Sequence, residues 1–130
     1  MDNLILVEAG WQDRVRDKLG VSDVYLPDSA VEQFEAVGLA ERYMVMRVPH
    51  HADLGADEFR ILQSAAVSEC ARLLCPTMKA RLPKRQEGLH MELTLETDWD
   101  QRKKELEEER ETILSYIDID GGKMPFFETT

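Results

Sequence analysis

Between Phe59 and Leu74 the chain carries the apolar stretch that most restricts its fold. Phe59, Leu62, Ala66, Cys70, Leu73 and Leu74 recur at helical spacing, and Ile61, Ala65, Val67 and Ala71 widen the stripe. An apolar face this broad must be covered from more than one side. The alanines at 65, 66 and 71 let neighbouring helices approach closely, so this is expected to be a central helix. It should start near Asp57, Pro76 should kink or end it, and Pro83 bars continuation. With 130 residues, 43% of them hydrophobic, the chain can build one such core but not comfortably two.

Three further helices are predicted around it. Trp11, Val15 and Leu19 share one face, and Gly20 is a natural stop. A second start lies at "LPDSAVEQ", where Pro27 suits a first turn and Ser29 with Glu32 reads as a capping box. That helix is expected to run to about Val48, with Val31, Phe34, Val37, Ala40 and Met44 inward, and Pro49 ends it. Gly38 should weaken it by ~1 kcal/mol and mark a close helix contact or a bend. The last helix is capped by Thr97 or Asp98 and buries a thin seam of Trp99, Leu106, Ile113, Leu114 and Ile117. Its charged face is read as solvated and partly self-paired, Glu107 with Arg110 for instance.

Leu89, Met91, Leu93 and Leu95 break the pattern by alternating with His90, Glu92 and Thr94, the period of a strand. A lone strand leaves its backbone groups and apolar face exposed. Two outcomes are open. Residues Met78 to Pro83 fold back on Leu89–Leu95 through a turn at Gly88, or the arm completes a sheet in another copy. The second is an open, head-to-tail contact, which generates rings or filaments when repeated. The fold class is therefore mainly α, a bundle of about four helices with a β arm or short hairpin between the third and fourth. The domain is expected to span 1–117, with the arm at about 82–96. Residues 118–130 are read as a flexible tail in which Gly121-Gly122 precede Pro125, Phe126 and Phe127.

Chemistry-bearing motifs are sparse. His50, His51 and Asp53 share a loop, but no further ligand stands at a usual metal spacing, so solvent-facing histidines are the plainer reading. Ser64 and Ser68 have no partner base and read as packing hydroxyls. No phosphate loop, nucleophile elbow or zinc-protease motif occurs, so no catalytic, metal or cofactor-binding residue is assigned and an enzyme is not expected. Cys70 and Cys75 point roughly 140° apart on a helix at about 100° per residue, which suits free buried thiols in a reducing compartment. The start of the chain lacks a basic flank and a long apolar run, and no stretch approaches a membrane span, so a soluble intracellular protein is expected. Net charge is −10, which opposes wrapping of nucleic acid by phosphate neutralisation. Lys79, Arg81, Lys84 and Arg85 form a short basic run. It is either a patch for an acidic partner or a phosphate backbone, or the basic end of the third helix, favourable to its dipole, plus a soluble loop.

In order, a short helix, "LPDSAVEQ", "ILQSAAVSECARLLCP" and "EGLHMELTLETDWDQRKKELEEERETILSYI" resemble the head-tail connector (adaptor, or head-completion) proteins of long-tailed bacteriophages. The resemblance covers about residues 11 to 117, and Asp98-Trp99 after the strand is its most telling piece. It implies a structural virion protein at the head-tail interface, assembled in the host cytoplasm. Such proteins form a homo-oligomeric ring, commonly a dodecamer, beneath the portal protein. The ring extends the channel for viral double-stranded DNA, helps retain the genome and docks a stopper or tail-completion protein. Leu89, Met91, Leu93, Leu95 and Trp99 would then lie at subunit interfaces. Lys79, Arg81, Lys84, Arg85, Pro125, Phe126 and Phe127 would contact the portal or another partner, and carboxylates would line the lumen. No cofactor and no membrane partner are implied. The alternative is a small acidic binding protein, a DNA-mimicking inhibitor or an antitoxin-like partner.

Overall fold

Helix α1 (Trp11–Leu19) ends where Gly20 takes a left-handed backbone, φ 71°. The Gly20 N–H donates to the Asp17 carbonyl and the Val21 N–H to that of Arg16, both at 3.2 Å. This 5→2 and 6→1 pair satisfies two carbonyls at the helix end, and a side chain at Gly20 would strain it. Arg16 is buried and ties the following loop down. Its guanidinium donates to the Leu26 carbonyl at 3.0 Å, to Asp28 at 2.8 Å and to Asp13 at 2.6 Å.

The computed structural model describes residues 3–81 and 98–117. Within them the expected second helix is split. A single turn, α2 (Asp28–Val31), stops before Gln33, whose ψ of 151° is extended. A π-helical turn, Phe34–Gly38, then leads directly into α3 (Leu39–Arg47). The break re-phases the chain so that Ala30, Val31, Ala36, Val37, Ala40 and Met44 all face inward, while Phe34 is left 44% exposed. Phe34 is thus removed from its expected inward stripe. Gly38 does mark a close contact, but with its own segment: a Cβ there would lie 2.5 Å from Phe34 Cδ1. The Ser29–Glu32 capping box is not formed. Pro27 occupies the cap position without a side-chain bond, and Glu32 instead accepts from Gln12 of α1 at 2.8 Å.

Helix α4 (Ala56–Arg81) is the centre, 26 residues and about 39 Å long. Every residue from Ala65 to Ala71 is buried, as the broad apolar face requires. α1, α3 and the last helix pack around it. Pro76 neither ends it nor stops the burial beyond it: Met78 is fully buried and the helix runs to Arg81. Pro76 itself is exposed, and its missing N–H leaves one carbonyl in the preceding turn without its helical donor. Because Met78–Arg81 are helical, those residues do not supply the fold-back strand of a hairpin.

Helix α5 (Trp99–Leu114) starts at Asp98, whose carboxylate accepts from the Gln101 N–H at 3.0 Å. It lies antiparallel to α4, as the pairings Lys79–Asp100 and Glu69–Arg110 show. Leu106 and Leu114 are essentially fully buried, each worth about 2 kcal/mol of transfer free energy. The protein is mainly helical, with four helices of nine residues or more among the described residues and no strand there. The predicted β arm at 82–96 and tail at 118–130 lie outside the described residues.

Asn3 to Gly10, given no role by periodicity, form an anchored segment. Ile5 and Leu6 are buried, and the backbone N–H groups of Leu4, Ile5 and Leu6 all donate to the buried Glu41 carboxylate, at 2.7, 2.9 and 2.7 Å. Gln63 of α4 donates to the Ile5 carbonyl at 3.1 Å. Glu41→Gln would turn an amide NH2 toward these donors and leave at least one unpaired. Its stability in urea should fall by about 2 kcal/mol, and amide exchange at Leu4–Leu6 should accelerate selectively.

Candidate interaction surfaces

Glu69 stands on α4 between Ser68 and Cys70, where every neighbour is buried, and is itself only 2% exposed. Two guanidiniums hold its carboxylate. Arg72, one turn on, donates from Nε and Nη2 at 2.8 Å each, and Arg110 of α5 donates from Nη1 at 2.7 Å. Arg110 also bonds Glu111 and lies over the Tyr43 ring of α3, 4.5 Å from its centroid. Glu111 is gripped in turn by Arg47 of α3, at 2.7 and 2.9 Å. One chain of charges therefore joins α3, α4 and α5. The expected Glu107–Arg110 pair is replaced by it, because Arg110 turns inward to the buried carboxylate. Arg47, first, and Arg110 hold Glu111 well below the usual carboxylate range, at about 2.

A second set joins α1 to the same helices. Arg102 donates to the Lys18 carbonyl at 2.7 Å, and Lys18 pairs with Glu109. Glu109 also accepts from Ser68 at 3.1 Å, while Arg14 donates to Ser64 at 3.1 Å. Both serines thus serve helix packing. No buried side-chain polar atom lacks a partner among the described residues.

The residues assigned to partner contacts fare differently. Trp99 is 6% exposed and lies in the core of its own chain, in the seam expected for the last helix. Lys79 pairs with Asp100 at 3.0 Å, clasping the end of α4 to the start of α5; both groups are largely exposed, so the pair contributes little. Arg81 is the last residue of α4. Its side chain, and Lys84, Arg85, Leu89, Met91, Leu93, Leu95, Pro125, Phe126 and Phe127, lie outside the described residues. What the structure does locate is where their segments depart. Residues 82–97 bridge the Lys79–Asp100 end of the α4–α5 pair, and residues 118–130 leave from its other end.

Two of the exposed apolar side chains, missed by the sequence reading, lie on α3. Leu39 and Met46 are 40% and 64% exposed on one face, and Phe34 joins them beneath Arg42, whose guanidinium lies 5.2 Å from its centroid. The signal was available: apolar residues on both sides of one helix.

Elsewhere the chemistry is quiet. An open cleft of about 320 Å³ is lined by Asn3, Trp11, Gln12, Glu32 and Val37, with Gln12 and Glu32 bonded to each other. His51 Nδ1 lies 3.2 Å from the Val48 carbonyl within a short 3-10 turn, and no metal-holding group of side chains occurs among the described residues. Burial pushes the Cys75 thiol up to about 11 and Cys70 higher still, so neither is a ready nucleophile. No helix among the described residues is long and apolar enough to cross a membrane.

The depressed Glu111 value has a sign that can be tested. Its contribution to stability is complete above the unfolded carboxylate range and is lost as pH falls from about 4.5 toward 2. Glu111→Gln should therefore cost about 1 kcal/mol at neutral pH, discounted because the side chain is 44% exposed. The gap to wild type should close below about pH 2 in urea titrations run across that window.

No protein-family model matches the chain, and neither a curated protein nor a solved structure does.

Proposed function

We propose that the chain is a subunit of a head-tail connector, a homo-oligomeric ring beneath the portal of a DNA-filled phage head. The observation that carries the reading is where residues 82–97 and 118–130 depart from the bundle. The alternating apolar residues of 89–95 belong to a segment spanning one end of the α4–α5 pair, and the Pro-Phe-Phe segment leaves from the opposite end. Contacts made from opposite ends of one rigid helix pair suit head-to-tail association, the kind that closes into rings.

The closed interior supports the same reading. The buried side-chain polar atoms of the described residues all have partners, and the core residues of α1, α4 and α5 are covered within the chain. Assembly would therefore draw on residues 82–97 and 118–130 without unfolding the bundle. The charge has a use as well. Exposed Glu105, Glu107 and Glu108 on α5, in a chain of net charge −10, suit a channel wall along which DNA slides without adhering. Leu89, Met91, Leu93 and Leu95 would be subunit contacts, and Lys84, Arg85 and the Phe-rich segment would face the portal. A stopper or tail-completion protein would dock on the far side of the ring.

The test is co-sedimentation and electron microscopy with isolated portal rings or tailless DNA-filled heads. Full-length protein should add a ring below the portal, and Leu93→Glu or truncation after Ile117 should weaken it. Failure to bind heads or portals, together with a tight complex with another soluble protein, would replace this reading with that of an acidic inhibitor.

A further inference from the structure

We propose that in the free protein the outer face of α3 is the seat of the chain's own C-terminal segment, with Phe126 and Phe127 on Phe34, Leu39 and Met46. The inference concerns the single chain and does not depend on the connector reading.

The surface comes first. Phe34, Leu39 and Met46 are 44%, 40% and 64% exposed, although α3 buries Ala40 and Met44 on its other side. A helix of nine residues that is apolar on both faces carries more apolar surface than its own core uses. Arg42 lies in the middle of this face. Its guanidinium is over the Phe34 ring, and it forms no ion pair with a carboxylate among the described residues. The adjacent Glu41 is turned inward to the Leu4–Leu6 backbone. The patch is therefore an apolar strip around an uncompensated cation.

Next, the occupant. Residues 118–130 lie outside the described residues, but their starting point is placed. Glu111 of α5 bonds Arg47 and Tyr43 of α3, and Ile117, six residues on, is buried against the core. The segment thus leaves from Ile117, six residues beyond the α5 residue that bonds α3. From Ile117 to Phe126 the chain can reach about 30 Å, whereas α3 is about 14 Å long. The segment also has matching chemistry: "MPFFE" puts two aromatics next to Glu128, an apolar pair followed at once by a carboxylate for Arg42. Gly121-Gly122 lie between the departure point and the aromatics, and glycine's conformational freedom would permit the turn this seat requires. Tethering raises the local concentration of the segment to about millimolar, which favours this occupant over a second molecule in dilute solution.

The buried thiols make the test simple. Full-length protein carrying Thr129→Cys takes a nitroxide at that position alone, because Cys70 and Cys75 are both buried. In isotope-labelled protein, the amide signals of Leu39, Arg42 and Met46 should be broadened beyond detection. They should return when the nitroxide is reduced. Adding Phe126→Ser and Phe127→Ser should restore them with the nitroxide intact, and so should Met46→Glu, an exposed position that leaves the core untouched. A sample mixing isotope-labelled, nitroxide-free chains with unlabelled, nitroxide-bearing chains should show no broadening. Unbroadened α3 signals in the first sample overturn the proposal. Equal broadening in the mixed sample overturns it too, by giving the seat to a second copy.

Discussion

The packing of α5 and α3 on α4 turns on a carboxylate buried in the middle of an apolar face, that of Glu69. Glu69 sits in the most buried stretch of α4, and an isolated charge there would cost several kcal/mol. Two guanidiniums offset that cost. Arg72 comes from the same helix, one turn away, and places no demand on the tertiary structure. Arg110 comes from α5, so satisfying Glu69 sets how far α5 slides along α4. Through Tyr43, Glu111 and Arg47 the same guanidinium also positions α3. An apolar seam as thin as that of α5 is tolerant of register, and a directional charge pair is not.

The buried Glu41 solves a different problem by similar means. Here a carboxylate on α3 gathers three backbone donors of Leu4, Ile5 and Leu6, groups that lack a strand or helix partner. Two acids on apolar helix stripes therefore act as internal connectors, one to an opposing helix and one to an extended segment.

How much of this was legible follows from the kind of signal involved. Helical periodicity marked α1, α4 and α5, and local rules marked Gly20 and Asp98, because each depends on residues within one or two turns. The split of the second helix was not legible. Val31, Phe34, Val37 and Ala40 fit one continuous stripe, and only burial against α1 and α4 makes the break at Gln33 preferable. Of the two outcomes open at Pro76, a kink or an end, the helix does not end there: it runs on to Arg81, and Met78 beyond the proline is buried. Long-range charge pairing was invisible to a reading confined to neighbours, which is why Arg110 was matched with Glu107. Glu69 and Glu41 did carry a usable sign, an acid set within an apolar stripe. Trp99 was legible from the spacing of the last helix, whose apolar seam it opens. For the functional reading, which draws on residues 82–97 and 118–130, the structure contributes the points on one clamped helix pair from which they depart.

That clamp is the central physical claim, and a double-mutant cycle on Glu69 and Arg110 measures it most directly. Wild type, Glu69→Gln, Arg110→Met and the double variant would be compared by urea unfolding. The account predicts a coupling free energy of about 2 kcal/mol or more, with the double variant recovering part of what either single change loses. A coupling below about 0.5 kcal/mol would contradict it and leave α5 held by its apolar seam alone.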